Sequence, residues 1–274
     1  MGGEGIYDRL LDRLRALGSI AVAFSGGVDS TFLCKAAHDA LGDRAIAVTV
    51  VSPMLPQSEI QAARYLASSI GIRHLLVDEP DISPAVAENP SHRCYLCKRI
   101  EFSAILRAAE KEAIAHVVDG SNGDDLNDYR PGLRALSELG IGSPLREAGL
   151  DKATIRELSR HLGLPTWDKP AFACLASRIP YGERISAEKL RRVEQAEDYL
   201  RGIGMRQLRV RSHGDIARIE VARDERTKLT DPAVMDETAR RLKSLGFHYV
   251  CLELDGYAMG SMNRSIPATE LSNG

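Results

Sequence analysis

Over the first 120 residues the apolar positions keep two rhythms, and each change of rhythm marks an element. Residues 20–24, Ile-Ala-Val-Ala-Phe, are apolar without interruption, the pattern of a strand buried on both faces. Downstream, Phe32, Leu33, Ala36, Ala37, Ala40 and Leu41 recur at helical spacing, and Gly42 ends the run. Ile6, Leu10, Leu11 and Leu14 predict an amphipathic helix over 6–17. Ala45–Val51 reads as a second buried strand, ending at Ser52-Pro53. Ser58-Glu59-Ile60-Gln61 has capping-box spacing and predicts a helix to Ile70, stopped by Gly71. Residues 74–78 form a third strand, 79–93 a loop, 95–115 a helix and 116–119 a fourth strand. Strands separated by helices predict an α/β fold with a doubly wound parallel sheet, whose ligands sit at the carboxyl ends of the strands.

Beyond Gly120 the rhythm breaks into an acidic and amide-rich stretch, Gly-Ser-Asn-Gly-Asp-Asp-Leu-Asn-Asp-Tyr-Arg-Pro-Gly. At a strand end such a stretch is a solvated loop or the lining of a nucleotide and metal site, and beside a phosphate loop the lining is favoured, with Asn122 and Asp124 nearest the nucleotide. Residues 151–162 predict another helix, after which residues 167–178 lead into a second region. There Ser186 caps a helix with Leu190, Val193 and Leu200 inward, and 207–211 and 216–221 alternate around His213-Gly214-Asp215 as a hairpin. Asp231-Pro232 opens a helix, and 247–254 is the last strand. The expected division is a nucleotide-binding domain over 1–170 and a smaller α+β domain over 171–274, for substrate binding and oligomerisation. In the hairpin's first strand Arg209 and Arg211 share one face. They either clamp a phosphate or form a solvated basic face.

The 274 residues, 44% hydrophobic and 27% charged, describe an ordinary globular chain with ample length for a core. A net charge of −2 gives no global signature of nucleic-acid binding. No apolar run approaches the roughly 18 residues of a membrane span. The first residues do not read as a secretory signal, so the expected location is cytoplasmic.

Candidate chemistry gathers at Ser25-Gly26-Gly27-Val28-Asp29-Ser30, between the first strand and its helix. Strand, glycine turn and helix in that order present free backbone N–H groups and a positive dipole end to one point, where phosphate binds. Ser25 and Ser30 supply hydroxyls, Asp29 is a candidate Mg²⁺ ligand, and Ser52 lies at the same sheet edge. A plain capped turn would look similar. The Gly-Lys-Ser/Thr of a Walker loop is absent. Five cysteines, an odd number, do not suggest a disulfide framework. Cys94 and Cys97 share one face of a helix start, beside Arg93, Lys98 and Arg99, which favours thiolate. They suit zinc, a redox dithiol, or, with a third cysteine, an iron–sulfur cluster. Cys34 and Cys251 read as core residues, whereas Cys174 lies in an interdomain segment of the kind that forms site walls.

Ser-Gly-Gly-Val-Asp-Ser resembles the pyrophosphate loop of the PP-loop (N-type) ATP pyrophosphatases, which cleave ATP between the α- and β-phosphates and adenylate their substrate. Taken with Asp124-Asp125, residues 128–132, Lys169-Pro170-Ala171, the block 174–182 (Cys-Leu-Ala-Ser-Arg-Ile-Pro-Tyr-Gly) and Arg209-Val210-Arg211, nearly the whole chain resembles the LarE-type sulfur transferases. That resemblance implies ATP and Mg²⁺, adenylation of a pyridinium dicarboxylate mononucleotide, and its conversion to a thiocarboxylate for a nickel-pincer cofactor. It also implies a homo-oligomer, a hexamer, with no membrane or nucleic-acid partner. One branch sacrifices the sulfur of a cysteine at the position of Cys174. Cysteines at the positions of Cys94 and Cys97 resemble a second branch, in which three cysteines hold a [4Fe–4S] cluster. The resemblance assigns Cys94, Cys97 and Cys174 to the cluster, Asp29 and Asp124 to Mg²⁺, Arg209 and Arg211 to the substrate phosphate, and Arg178 to the adenylate. A tRNA thiolase, an ammonia-delivering ligase and a nucleotide sensor are the competing readings. The first would need an RNA surface, the second has no need of the three thiols, and the third would release no pyrophosphate.

Overall fold

A computed structural model describes residues 3–127, 131–170 and 173–258 of the chain. In chain order the elements are α1 (Gly3–Ala16), β1 (Ile20–Ala23), α2 (Val28–Leu41), β2 (Ala45–Val51), α3 (Gln57–Ile70), β3 (Arg73–Asp78), α4 (Pro84–Ala87) and α5 (Arg93–Lys111). They continue with β4 (His116–Val118), α6 (Pro131–Glu138), α7 (Pro144–Glu147), α8 (Lys152–His161), α9 (Ala187–Gly202), β5 (Leu208–His213), β6 (Ile216–Val221), α10 (Pro232–Ser244) and β7 (Tyr249–Leu252). The described residues divide into two units, 3–80 with 94–170, and 81–93 with 173–258.

The first unit is a parallel sheet in the order β3-β2-β1-β4. Its strands are apolar on both faces because both faces are covered. Ile20 and Val22 of β1 point into a core with Leu10, Leu14, Phe32 and Leu33, while Ala21 points the other way, with Ile46, Val48, Phe102 and Ile105. This is the doubly wound arrangement that the continuous apolar runs predict. The strand order reverses between β1 and β4, which makes the carboxyl ends of these two strands the switch point where ligands of such sheets bind.

The second unit carries a three-stranded sheet, β5-β6-β7. β5 and β6 pair antiparallel as the hairpin pattern predicts, and β7 returns parallel to β6 after α10. Asp231 caps α10 through the amides of Ala233 and Val234, and Ser186 caps α9 through that of Lys189.

Three expectations are corrected. Residues 79–93 are not loop throughout. α4 lies within them, and Asn89 donates to the carbonyls of Ile179 (3.3 Å), Pro180 (2.6 Å) and Glu183 (3.1 Å), which ties 81–93 to the second unit. Ser58 caps nothing: α3 begins at Gln57 behind Pro56, and its cap position makes no side-chain bond. α6 occupies Pro131–Glu138, mostly residues for which the sequence pattern predicts no element. Cys251 is exposed, because among the described residues β7 pairs only with β6 and is an edge strand; Cys34 is fully buried as expected.

Candidate active site

The β1–α2 turn leaves the start of α2 without a side-chain cap, although the Ser25 amide donates to the Ser30 hydroxyl at 3.3 Å. Gly26 takes φ +68°, a left-handed conformation natural to glycine, and Gly27 at the cap position of α2 offers no side chain. The turn closes on itself through Ser25 and Ser30, whose hydroxyls stand 3.1 Å apart, and the Ser30 hydroxyl also reaches the Gly27 carbonyl at 3.3 Å. The first turn of α2 therefore presents N–H groups with no side-chain cap, at the positive end of a 14-residue helix. Gly120, following β4, lies against this turn so closely that a β-carbon there would stand 3.0 Å from the Ser30 nitrogen.

Asp29, in the first turn of α2, has one carboxylate oxygen buried without a hydrogen-bond partner among the described residues. Its other oxygen pairs with Lys152 Nζ at 2.5 Å. Lys152 opens α8, and its backbone amide donates to Asp124 Oδ2 at 2.9 Å. One lysine thus joins the two carboxylates assigned to Mg²⁺ from the sequence. Asn122 is buried and accepts from the Asp124 amide (3.0 Å), while its own amide donates to Asp125 (2.9 Å), so it shapes the acidic turn over Gly123–Asn127. Residues 128–130 of that stretch lie outside the described residues. Ser52 follows β2 at the same sheet edge.

A second lysine reaches the loop. Lys169 Nζ donates to the Gly26 carbonyl at 3.0 Å and pairs with Glu59 of α3 at 2.7 Å. Arg156 of α8 holds the segment carrying it, donating to the carbonyls of Trp167 (2.6 Å) and Lys169 (2.9 Å). Neither lysine's partner is deducible from local pattern. Lys152 left a signal nevertheless, since a cation in a helix's first turn opposes the dipole and needs anions to justify it.

Cys94 and Cys97 occupy the first turn of α5, both half-buried, in the first unit. Lys98 follows; burial works against its charge, but Glu101, Asp119 and Cys97 hold its pKa up at about 12. Arg93 turns to the second unit instead, donating to Asn89 and the Ala176 carbonyl and lying over the Tyr181 ring at 5.1 Å. Arg99 is taken up by the Tyr95 hydroxyl at 3.1 Å. None of the five cysteines is in a disulfide. Cys174 is half-buried in the second unit, and among the described residues no group of three His, Cys, Asp or Glu is placed to hold a metal ion.

Arg178 is fully buried and bonds Glu197 of α9 through two nitrogens, at 2.9 and 3.0 Å. Its third nitrogen donates to the carbonyls of Ala173 and Cys174 and, at 3.0 Å, to Ser177 Oγ. Arg178 thus positions the Cys174 segment; its sequence-based assignment to the adenylate finds no open guanidinium edge of this kind. Burial pushes the Glu197 carboxyl up, but Arg178, the Val210 amide and Arg201 outweigh it and hold its pKa below 4.5. On β5, Leu208 and Val210 are core, and the opposite face is not solvated: Arg211 is buried, bonding Glu220 and the Ser177 carbonyl, both at 2.8 Å. Arg209 is lowered in pKa by burial and by the neighbouring charge of Arg178, and stacks on Tyr257 at 5.1 Å. Arg178 and Arg211 already pair with Glu197 and Glu220, which leaves Arg209 as the guanidinium of the three whose charge its surroundings disfavour.

The family model described as asparagine synthase matches residues 4–218. A pyridinium-3,5-bisthiocarboxylic acid mononucleotide synthase of Lactiplantibacillus plantarum is 38% identical over 267 residues, 96% of this chain and 95% of the relative. The chain belongs to the LarE-type sulfur transferases. It is 46% identical to an uncharacterized Synechocystis protein over 89% of its length, and 30% identical to one of Methanocaldococcus jannaschii over 87%. As a LarE-type sulfur transferase on an ATP pyrophosphatase fold, it is an adenylating enzyme. No helix among the described residues is long and apolar enough to cross a membrane.

Proposed function

We propose that the enzyme adenylates a carboxylate of pyridinium-3,5-dicarboxylate mononucleotide and converts it to a thiocarboxylate for nickel-pincer cofactor synthesis. The near end-to-end match to the Lactiplantibacillus synthase carries this reading. A carboxylate resists sulfide because oxide is a poor leaving group. Attack of a carboxylate oxygen on the α-phosphate of ATP expels pyrophosphate and gives an acyl adenylate. Sulfide then adds to the carbonyl and AMP departs, leaving the thiocarboxylate.

The residues suit these steps. The uncapped amides of α2 and the Lys169 ammonium face phosphate charge as it develops. The buried, unpartnered oxygen of Asp29 has the chemistry of a Mg²⁺ ligand, with Asp124 tied to it through Lys152. Mg²⁺ there would neutralise the leaving pyrophosphate. Arg209 and Arg211 attract the substrate's phosphate, with Arg178 adding to the field. Arg178 also holds the backbone that carries Cys174.

Cys94, Cys97 and Cys174 are the proposed ligands of a [4Fe–4S] cluster. Their donor set fits one: three cysteine side chains outside any disulfide, two of them on one helical face. The cluster, when bound, supplies iron with an open position to carry sulfide.

The test is anaerobic protein, reconstituted with iron and sulfide, supplied with Mg²⁺, ATP and the pyridinium dicarboxylate mononucleotide. Substrate-dependent pyrophosphate release and a thiocarboxylate product seen by mass spectrometry are expected. Pyrophosphate release with tRNA but not with the mononucleotide would overturn the substrate assignment.

A further inference from the structure

Lys152 enters the reading above only as the link between Asp29 and Asp124, yet its ion pair is shorter than that of Lys169 with Glu59 beside the same loop. Its ammonium lies 2.5 Å from Asp29 Oδ2. Its backbone amide fixes Asp124. It stands at the first helical position of α8, where the dipole disfavours a cation, so the pair with Asp29 is what keeps it there. The other Asp29 oxygen is buried and accepts nothing among the described residues. An ammonium against one carboxylate oxygen repels a divalent ion approaching the other, because like charges a few ångströms apart interact strongly near a protein surface.

We propose that Lys152 gates the metal site. It occupies Asp29 until Mg²⁺ arrives together with ATP, and then moves its ammonium from the carboxylate to a phosphate oxygen. No bond is made or broken in this exchange. Free Mg²⁺ brings no anion to receive Lys152 and is held weakly, whereas Mg·ATP brings both the metal for Asp29 and the phosphate for Lys152. The consequence is obligatory coupling of metal to nucleotide, which spares the loop from capture by metal alone. This inference rests on the assignment of Asp29 to the metal.

Mn²⁺ binding to the full chain, read by electron paramagnetic resonance with and without ATP, tests it with Lys152→Met, which keeps the backbone bond to Asp124. Without nucleotide, Lys152→Met is expected to bind Mn²⁺ about tenfold more tightly than wild type, by relief of charge repulsion. With ATP present the order inverts: the variant binds the Mn·ATP complex about tenfold more weakly, since a phosphate contact is lost. Lys152→Arg, which keeps the charge, should follow wild type in the nucleotide-free measurement. Opposite signs in the two measurements are not produced by a merely structural lysine. Unchanged or weaker nucleotide-free Mn²⁺ binding in Lys152→Met, with Asp29→Asn abolishing binding, overturns the gate and leaves the metal assignment standing. Unchanged Mn·ATP binding in Asp29→Asn overturns the metal assignment itself, and the gate with it.

Discussion

Arg178 shows how a buried charge can serve a neighbour. The guanidinium is fully buried, and Glu197 meets it with both oxygens while also accepting the Val210 amide and an Arg201 nitrogen. Removing the carboxylate would leave Arg178 uncompensated, and breaking such a pair from one side costs about 3–5 kcal/mol. Glu197→Gln should therefore lose stability of that order at neutral pH, measured by urea unfolding. The pH dependence has a definite sign. Because the folded-state pKa of Glu197 lies below its ordinary 4.5, its contribution is complete above that value and is lost as pH falls through the lower, folded value. Wild type should lose stability steeply below pH 4.5, while the variant's curve should be flatter across that window. Parallel curves would mean that Glu197 does not titrate with folding.

The elements that carry the phosphate loop were largely legible, and the reason is burial. β1 and β2 have helices on both faces, so their apolar runs are continuous, and the paired glycines at 26 and 27 mark the turn between strand and helix. Legibility fails where an element's surroundings are not local. Ser58-Glu59-Ile60-Gln61 has the right spacing for a cap, but Pro56 already turns the chain and α3 starts one residue earlier. β7 is apolar in part yet half exposed, because its place at a sheet edge is set by β6. Gly120 is a similar case: nothing in its neighbours reveals that it packs on the backbone of α2, where a β-carbon at this position would stand 3.0 Å from the Ser30 nitrogen and 3.3 Å from the Asp29 carbonyl carbon. Both atoms are main chain and cannot rotate away. Gly120→Ala should push the start of α2 from its place, costing about 1–3 kcal/mol as overpacking does, with weaker ATP binding in calorimetry. Normal ATP affinity in a folded Gly120→Ala protein would show that the first turn of α2 tolerates displacement.

At the scale of the whole molecule, only part of the proposed site could be read from sequence, because several partners lie far apart along the chain. Asp29, Asp124 and the cysteines announce themselves by type and neighbours. Lys152 and Lys169 do not, because their partners lie 123 and 110 residues away. Cys94 and Cys97 belong to one unit and Cys174 to the other, and the five cysteines supply their own controls. Cys34 is buried in α2, where burial pushes its pKa far up, and Cys251 lies exposed on β7. Neither has a part in the proposed cluster. Anaerobic reconstitution of five single Cys→Ala variants should therefore divide them sharply. Loss of Cys94, Cys97 or Cys174 should abolish the visible absorbance and lower bound iron from about four per chain, while loss of Cys34 or Cys251 should leave both intact. Full iron in Cys94→Ala, with Cys174 converted to dehydroalanine after one turnover of the unreconstituted wild type, would mean that sulfur comes from the protein itself. The protein would then be consumed by its reaction, and Cys94 and Cys97 would be bystanders on α5.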